Sequence, residues 1–131
     1  MSKKVVVTGG AGFIGHILIK YILDNTDWQV VSLDRLDYSG NLNRFSHMLK
    51  DYPEEDKKRL QIIYHDLKSE INNLLDTKIK DAEIIYHLAA SSHVDRSIVD
   101  PLTFVKDNVL ATANLLNYAR SMDKLELMVY F

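Results

Sequence analysis

Short apolar runs alternate with helix-patterned stretches along the whole chain. Val5-Val6-Val7 is the first run, followed by Gln29 to Leu33, Leu60 to Tyr64, Ala82 to Leu88 and Leu125 to Phe131. Continuous runs of this length, rich in Val and Ile, predict strands with both faces covered. Between them, apolar residues return at the spacing of a helix. Ile14, Ile17, Leu18, Tyr21 and Ile22 predict the buried face of a first helix. Leu42, Phe45, Met48 and Leu49 predict a short second one, with Pro53 at its exit. Ser69 can cap a third, bearing Ile71, Leu74, Leu75 and Ile79. Asp100 before Pro101 marks another start, an N-cap followed by proline at the first helical position. Leu102, Val105, Val109, Ala113 and Leu116 then repeat at helical spacing.

Strands alternating with helices imply parallel pairing and right-handed crossovers. The expected fold is α/β: one doubly wound, Rossmann-like parallel sheet over residues 1–131, in strand order 3-2-1-4-5 and truncated after strand five. In such a sheet, ligands sit outside the carboxyl ends of the strands. That directs attention to Gly9–Gly15, Asp34–Asn41, His65–Leu67 and Leu88–Ser97.

Thr8-Gly9-Gly10-Ala11-Gly12-Phe13-Ile14-Gly15 joins the first strand to the first helix. Strand, glycine turn and helix together hold a dinucleotide pyrophosphate. Gly9 permits a tight turn out of the strand, and Gly12 lets the backbone approach the phosphates. Gly15 lets the helix pack on the sheet, and the free N–H groups of its first turn face the anion. The G-x-x-G-x-x-G spacing makes the first turn one residue longer than the commonest dehydrogenase form.

Asp34 closes the second run, where a carboxylate can accept hydrogen bonds from the adenosine ribose and repel a 2′-phosphate. This predicts NAD over NADP. Arg35 pulls the other way, because a guanidinium there can pair with the extra phosphate. Asp at a strand end also caps turns, which is the alternative role of Asp34.

After the fourth run, Ala89 and Ala90 are small enough to let backbone lie against a flat ring or a phosphate. Ser92 and His93 can then reach a substrate. Taken alone, His93 reads as a turn histidine, Asp95 and Arg96 as a cap or an ion pair, and His87 as a satisfied core residue. Asp66 and Leu67, after the third run, stand at the adenine edge or serve the turn.

The 131 residues carry a net charge of −2, and the 26% that are charged have both signs interspersed. That leaves neither a basic stripe for nucleic acid nor an acidic tail. The absence of cysteine excludes a disulfide framework, a thiolate nucleophile and a cysteine-zinc site, and no metal is expected. Val5–Val7 is too short for a signal peptide or a membrane span before the glycines interrupt it. A soluble, cytoplasmic protein is expected.

The glycine motif, Asp34 with the Tyr38-Ser39-Gly40-Asn41 loop, and the run from His87 to Ser97 resemble the extended short-chain dehydrogenase/reductase superfamily. Within it they most resemble dTDP-glucose 4,6-dehydratases. The glycine motif carries the broad likeness and Ser92-His93-Val94-Asp95-Arg96-Ser97 the narrow one. The resemblance implies NAD held at Phe13, Ile14, Asp34, Arg35, Leu36, Asp37, Asp66, Leu67, Leu88, Ala89, Ala90, Ser91 and Ser92, with Ser92 also touching substrate. It implies a nucleotide-sugar substrate, dTDP-glucose first, and a homodimer of the full-length protein. The implied reaction takes hydride from sugar C4, eliminates water across C5 and C6, and returns hydride to C6.

Two positions depart from the pattern. Ser91 replaces a usual glutamate, and Asp107 replaces a cofactor-facing threonine, which adds an anion near the cofactor. The family's threonine, Asp-Glu pair and Tyr-x-x-x-Lys dyad lie beyond the fifth strand, so no catalytic residue is expected in this chain. A nucleotide-sugar 4-epimerase of the same superfamily and a non-catalytic NAD-binding module are the alternatives.

Overall fold

Valine and isoleucine crowd the middle strands, which have neighbours on both sides and helices over both faces. In the computed structural model, which describes residues 2–131, the strands are β1 (Lys4–Thr8), β2 (Gln29–Asp34), β3 (Leu60–Tyr64), β4 (Ile84–His87) and β5 (Leu127–Tyr130). They follow the apolar runs, trimmed or extended by a residue or two. All pairings are parallel and the order is β3-β2-β1-β4-β5, as the alternation of elements predicts. The helices are α1 (Phe13–Asn25), α2 (Asn43–Leu49), α3 (Glu54–Lys57), α4 (Asn73–Ile79), α5 (Val94–Val99), α6 (Pro101–Val105) and α7 (Ala111–Ala119). A π-helical turn, Lys106–Leu110, joins the last two.

Successive side chains of a strand point to opposite faces, and β1 therefore feeds two cores. Val6 packs with Val31, Leu33 and Ile85 against Leu75 and Ile79 of α4 and Ala111 and Leu115 of α7. Val5 and Val7 pack with Val30 and Ile84 against Ile19, Ile22 and Leu23 of α1 and Phe45 of α2. Each fully buried Val, Ile or Leu contributes roughly 1.5–3 kcal/mol. β3 and β5 are the edges, and their side chains stay half-exposed.

α2 buries Phe45, with Met48 and Leu49 packed beside it, and α4 buries Leu75 and Ile79, as the spacing predicts, whereas α1 and α6–α7 differ in the face they bury. In α1 the buried residues are Gly15, Ile19, Ile22 and Leu23, with Leu18 packed beside them; Leu18 and Ile22 were expected there, while Ile14, Ile17 and Tyr21 point to solvent instead. The glycine turn fixes this, because only the face carrying Gly15 can lie against the backbone of Gly9 and Gly10. In α6–α7 the residues turned inward are Asp107, Ala111 and Leu115, and Leu102, Val105, Val109, Ala113 and Leu116 are exposed. Here the π turn sets the outcome. The Ala111 N–H donates to the Lys106 carbonyl, one residue further back than in an α-helix, which re-aims the face that follows.

Three local expectations also change. Asn72 rather than Ser69 caps α4, its Oδ1 accepting the Leu75 N–H at 2.9 Å. Pro53 opens α3 instead of simply ending α2, and Val94–Val99 is helical rather than loop. Asp100 caps α6 as expected, accepting from the Thr103 N–H at 3.2 Å and its hydroxyl at 2.6 Å. Among the described residues no helix is long and apolar enough to cross a membrane.

Candidate cofactor site

The loops that leave β1, β2, β3 and β4 open onto one cavity at the carboxyl end of the sheet. The chain winds from β1 to β2 over one face and from β3 to β4 over the other, so these loops diverge there and leave a crevice. Gly9 and Gly12 line it from the first loop and Asp34, Arg35, Asp37 and Ser39 from the second. His65, Asp66 and Leu67 contribute from the third, and Leu88, Ala89 and Ala90 from the fourth. Leu33, Asp107 and Ala111 close it from behind.

Gly9 turns with φ +72, and a Cβ there would stand 2.9 Å from the Ala89 nitrogen. The first and fourth loops therefore touch through backbone. The Gly9 carbonyl accepts the Gly12 N–H at 3.0 Å, which closes the turn before α1. Gly12 is the N-cap and offers no side-chain cap, so the first N–H groups of α1 stay available to an anion. Gly15 does not pack on the sheet, as its spacing suggested. A Cβ there would meet the Gly9 carbonyl oxygen at 2.1 Å, so its contact is with the turn itself. Gly10 takes the packing role, facing Ser32 of β2 and Ile19 of α1.

Asp34 is buried and ties two loops together. Its Oδ2 accepts the Ala11 N–H at 3.1 Å and its Oδ1 the Leu36 N–H at 2.7 Å. Leu36 adopts φ +53, a conformation non-glycine residues rarely take, at the point where its N–H turns back to the carboxylate. Arg44 straps the same region, donating to the Ala11 and Ser39 carbonyls at 2.7 Å each. Asp34 thus has both the turn-capping role and a place on the cavity wall.

The residue that departs most from expectation is Asp107. It adds no free anion. Arg35 Nη1 and Nη2 donate to its two oxygens at 2.7 and 2.8 Å, Lys68 Nζ lies 2.9 Å from Oδ1, and the Ser91 hydroxyl donates to Oδ2 at 2.6 Å. The Arg35 guanidinium beside it, aided by Ser91 and Lys68 against the cost of burial, holds the carboxyl well below the usual range. The same contact raises the pKa of Arg35, which also donates through Nε to Asp37 at 2.7 Å. The π turn explains the placement: it swings Asp107 under the second and fourth loops. Its neighbour Asn108 clasps the Ser91 backbone with bonds of 2.7 and 2.9 Å. Asn114 of α7 does the same for the third loop, donating to the Leu67 and Lys68 carbonyls.

Other predicted residues are placed as follows. Gly9, Gly12, Asp34, Arg35, Asp37, Asp66, Leu67, Leu88, Ala89, Ala90 and Asp107 line the cavity. Phe13, Ile14, Gly15, Leu36, Ser91 and Ser92 do not, and Ser92 and Phe13 are exposed. His87 is a satisfied core residue, as expected, with its ring nitrogens 2.6 Å from the Thr8 hydroxyl and 2.8 Å from that of Thr112. Arg96 does not pair with Asp95; its guanidinium lies 4.0 Å from the Tyr38 ring centroid. The sequence reading missed Lys68, while Ser39 and His65 lie in loops it had marked without giving either residue a role. Burial lowers the pKa of His65, and its Nε2 is buried without a protein partner. A lysine two residues past Asp66 was the available signal for the first of these.

A family model described as GDP-mannose 4,6 dehydratase matches residues 6–131. The chain belongs to the GDP-mannose 4,6-dehydratase family. A dTDP-glucose 4,6-dehydratase of Salmonella typhimurium is 39% identical over 119 residues, covering 89% of this chain and 31% of the relative. Among solved structures, the Streptomyces venezuelae dTDP-glucose 4,6-dehydratase DesIV, determined with NAD bound, matches with TM-score 0.75 and 31% identity over 95% of this chain and 38% of that one. A UDP-N-acetylglucosamine 4-epimerase of Methanobrevibacter ruminantium matches with TM-score 0.77 and 29% identity, over 97% of this chain and 36% of that one. The chain thus spans about a third of the length of the family members it matches.

Proposed function

We propose that this chain is the NAD-binding part of a nucleotide-sugar 4,6-dehydratase, with dTDP-glucose as the substrate. One observation carries the reading: a glycine turn, a helix start with free N–H groups and a strand-end carboxylate converge on a single cavity. The residues fit a dinucleotide. The pyrophosphate would lie against Gly12 and the first turn of α1, the adenosine ribose against Asp34, and the adenine between Asp66 and Leu67. Ala89 and Ala90 leave room for a flat ring, and Ser92, at the outer edge, would meet the sugar. Bound NAD would supply the hydride acceptor for C4 and the hydride donor for C6.

The dehydratase reading draws on the likeness to dTDP-glucose 4,6-dehydratases and on the Ser92–Ser97 run. A 4-epimerase is the second reading, favoured by the likeness to the Methanobrevibacter enzyme. The full-length protein is cytoplasmic and homodimeric in this proposal, without nucleic-acid or membrane partners. The exposed row Ile98, Leu102, Val105 and Val109 supports a covering surface. A full-length protein that sediments as a monomer removes the dimer.

Two measurements test the proposal. Calorimetry should give tighter binding of NAD than of NADP, and Asp34→Ala should weaken NAD by about 1.5–3 kcal/mol through lost hydrogen bonds to a charged group. Equal or tighter NADP binding by the unaltered chain overturns the assignment. The full-length protein, incubated with NAD and dTDP-glucose, should form the 4-keto-6-deoxy sugar; a C4 epimer instead decides for the second reading. The 131-residue chain alone should form neither. General acid–base catalysis needs a tuned group within reach of the reacting proton, and Ser92, His93 and Asp95 match none of the family's catalytic positions. Product above background from this chain places the chemistry within it.

A further inference from the structure

Arg35 follows directly after the ribose-facing Asp34, where a guanidinium can clamp a 2′-phosphate. Each of its three nitrogens already donates to a carboxylate. Nε donates to Asp37 at 2.7 Å, and Nη1 and Nη2 form a two-pronged pair with Asp107 at 2.7 and 2.8 Å. Such bidentate pairs are the stronger and more directional form of Arg–carboxylate contact. Lys68, the second cation beside the cavity, is held by the same carboxylate at 2.9 Å. Asp107 has only 4% of its side chain exposed and Arg35 27%, so the carboxylate is shielded from water while the guanidinium keeps part of its surface open. Arg35, Lys68, Asp37 and Asp107 sum to zero charge, and Asp34 and Asp66 beside them leave the adenosine end net negative.

We propose that Asp107 is a specificity-determining residue that excludes NADP by holding Arg35 and Lys68 away from the 2′-phosphate position. Asp34 alone does not account for discrimination when an arginine stands next to it. The arginine must also be occupied, and the occupying group comes from a helix 72 residues further along the chain. The π turn that carries Asp107 inward is the structural element that makes the contact possible. Without the carboxylate, the cluster changes from neutral to singly positive, with a free guanidinium face and a free ammonium at the edge of the cavity. This inference rests on the dinucleotide reading of the cavity.

The test compares NAD and NADP affinity in the unaltered protein, in Asp107→Asn, and in Asp107→Asn combined with Arg35→Ala. The unaltered protein should prefer NAD. Asp107→Asn should narrow the preference at least tenfold, read as the ratio of the NADP and NAD affinities measured on the same variant. Adding Arg35→Ala should restore the original ratio, and the NADP gain should shrink as salt rises. Asp107→Thr, smaller and uncharged, is the second variant and should narrow the ratio in the same way. Circular dichroism establishes that each variant is folded. A folded variant whose NADP/NAD ratio is unchanged overturns the proposal. An unaltered protein that binds neither nucleotide overturns the dinucleotide reading and this inference with it.

Discussion

Replacing Gly15 by alanine is expected to remove about 4 kcal/mol or more of folding stability, at the exceptional end for a single substitution. The added Cβ would stand 2.1 Å from the Gly9 carbonyl oxygen and 2.8 Å from the Gly10 Cα. Both are backbone atoms of a turn held at φ +72 and hydrogen-bonded to β2 through Gly9 N–H to Leu33 O at 2.8 Å. They cannot swing aside as the end of a long side chain would. Relief requires α1 to lift away from the turn, and that opens the core of Ile19, Ile22 and Leu23 against Val5 and Val7. Because domains are stable by only about 5–15 kcal/mol, much of the margin disappears. Urea denaturation measures it. A midpoint within experimental error of the unaltered protein means that the glycine turn is not packed against α1 as described.

The strands were legible because their environment is simple. β1, β2 and β4 are covered on both faces, so their code is a near-continuous apolar run, broken in β2 only by Ser32, and Val5-Val6-Val7 needs no further context. The buried faces of α2 and α4 were legible from spacing, those of α1 and α6–α7 were not, and Val94–Val99 was not legible as a helix. α1 has enough apolar residues for two stripes, and a glycine contact with a turn selects the one containing Ile19 and Leu23 over the one containing Ile17 and Tyr21. Helical periodicity reports amphipathicity and carries no information about such a contact. The same holds for α6–α7, where one of the residues turned inward, Asp107, is charged.

The site divides along the same line. Gly9, Gly12 and Asp34 act through local geometry, a turn and a strand end, which short spacing encodes. Asp107 acts through partners at positions 35, 68 and 91, brought together only when β2, β3, β4 and the π turn share one end of the sheet. Judged by position alone, its carboxylate is an added anion; once folded, it is the shared counter-ion of two cations. Arg35 changes meaning with it, from a candidate phosphate ligand to a neutralised one. Phe13, Ile14 and Ser92 were singled out by motif, and their side chains stand outside the cavity. The first two contribute backbone N–H groups to the first turn of α1.

Gly12→Val is expected to abolish NAD binding, at least a hundredfold loss, while leaving a folded domain. It separates the two roles that glycines play in this turn. Gly12 has φ −75 and ψ 177, an extended conformation open to any residue, so valine imposes no backbone strain. Its Cβ would lie 3.0 Å from the Gly9 carbonyl oxygen, a tight contact that a shift of a few tenths of an ångström relieves, in contrast to the overlap at Gly15. The cost to folding should stay within about 1–3 kcal/mol, the usual range for overpacking. Binding has no such relief. Gly12 lines the cavity at the start of α1, and two methyl groups there occupy the volume where a pyrophosphate must come within hydrogen-bond distance of the first-turn N–H groups. Calorimetry with NAD, alongside circular dichroism and a urea melt, reads both effects on one sample. A folded Gly12→Val chain that binds NAD as the unaltered chain does removes the phosphate from this turn, and with it the dinucleotide reading of the cavity.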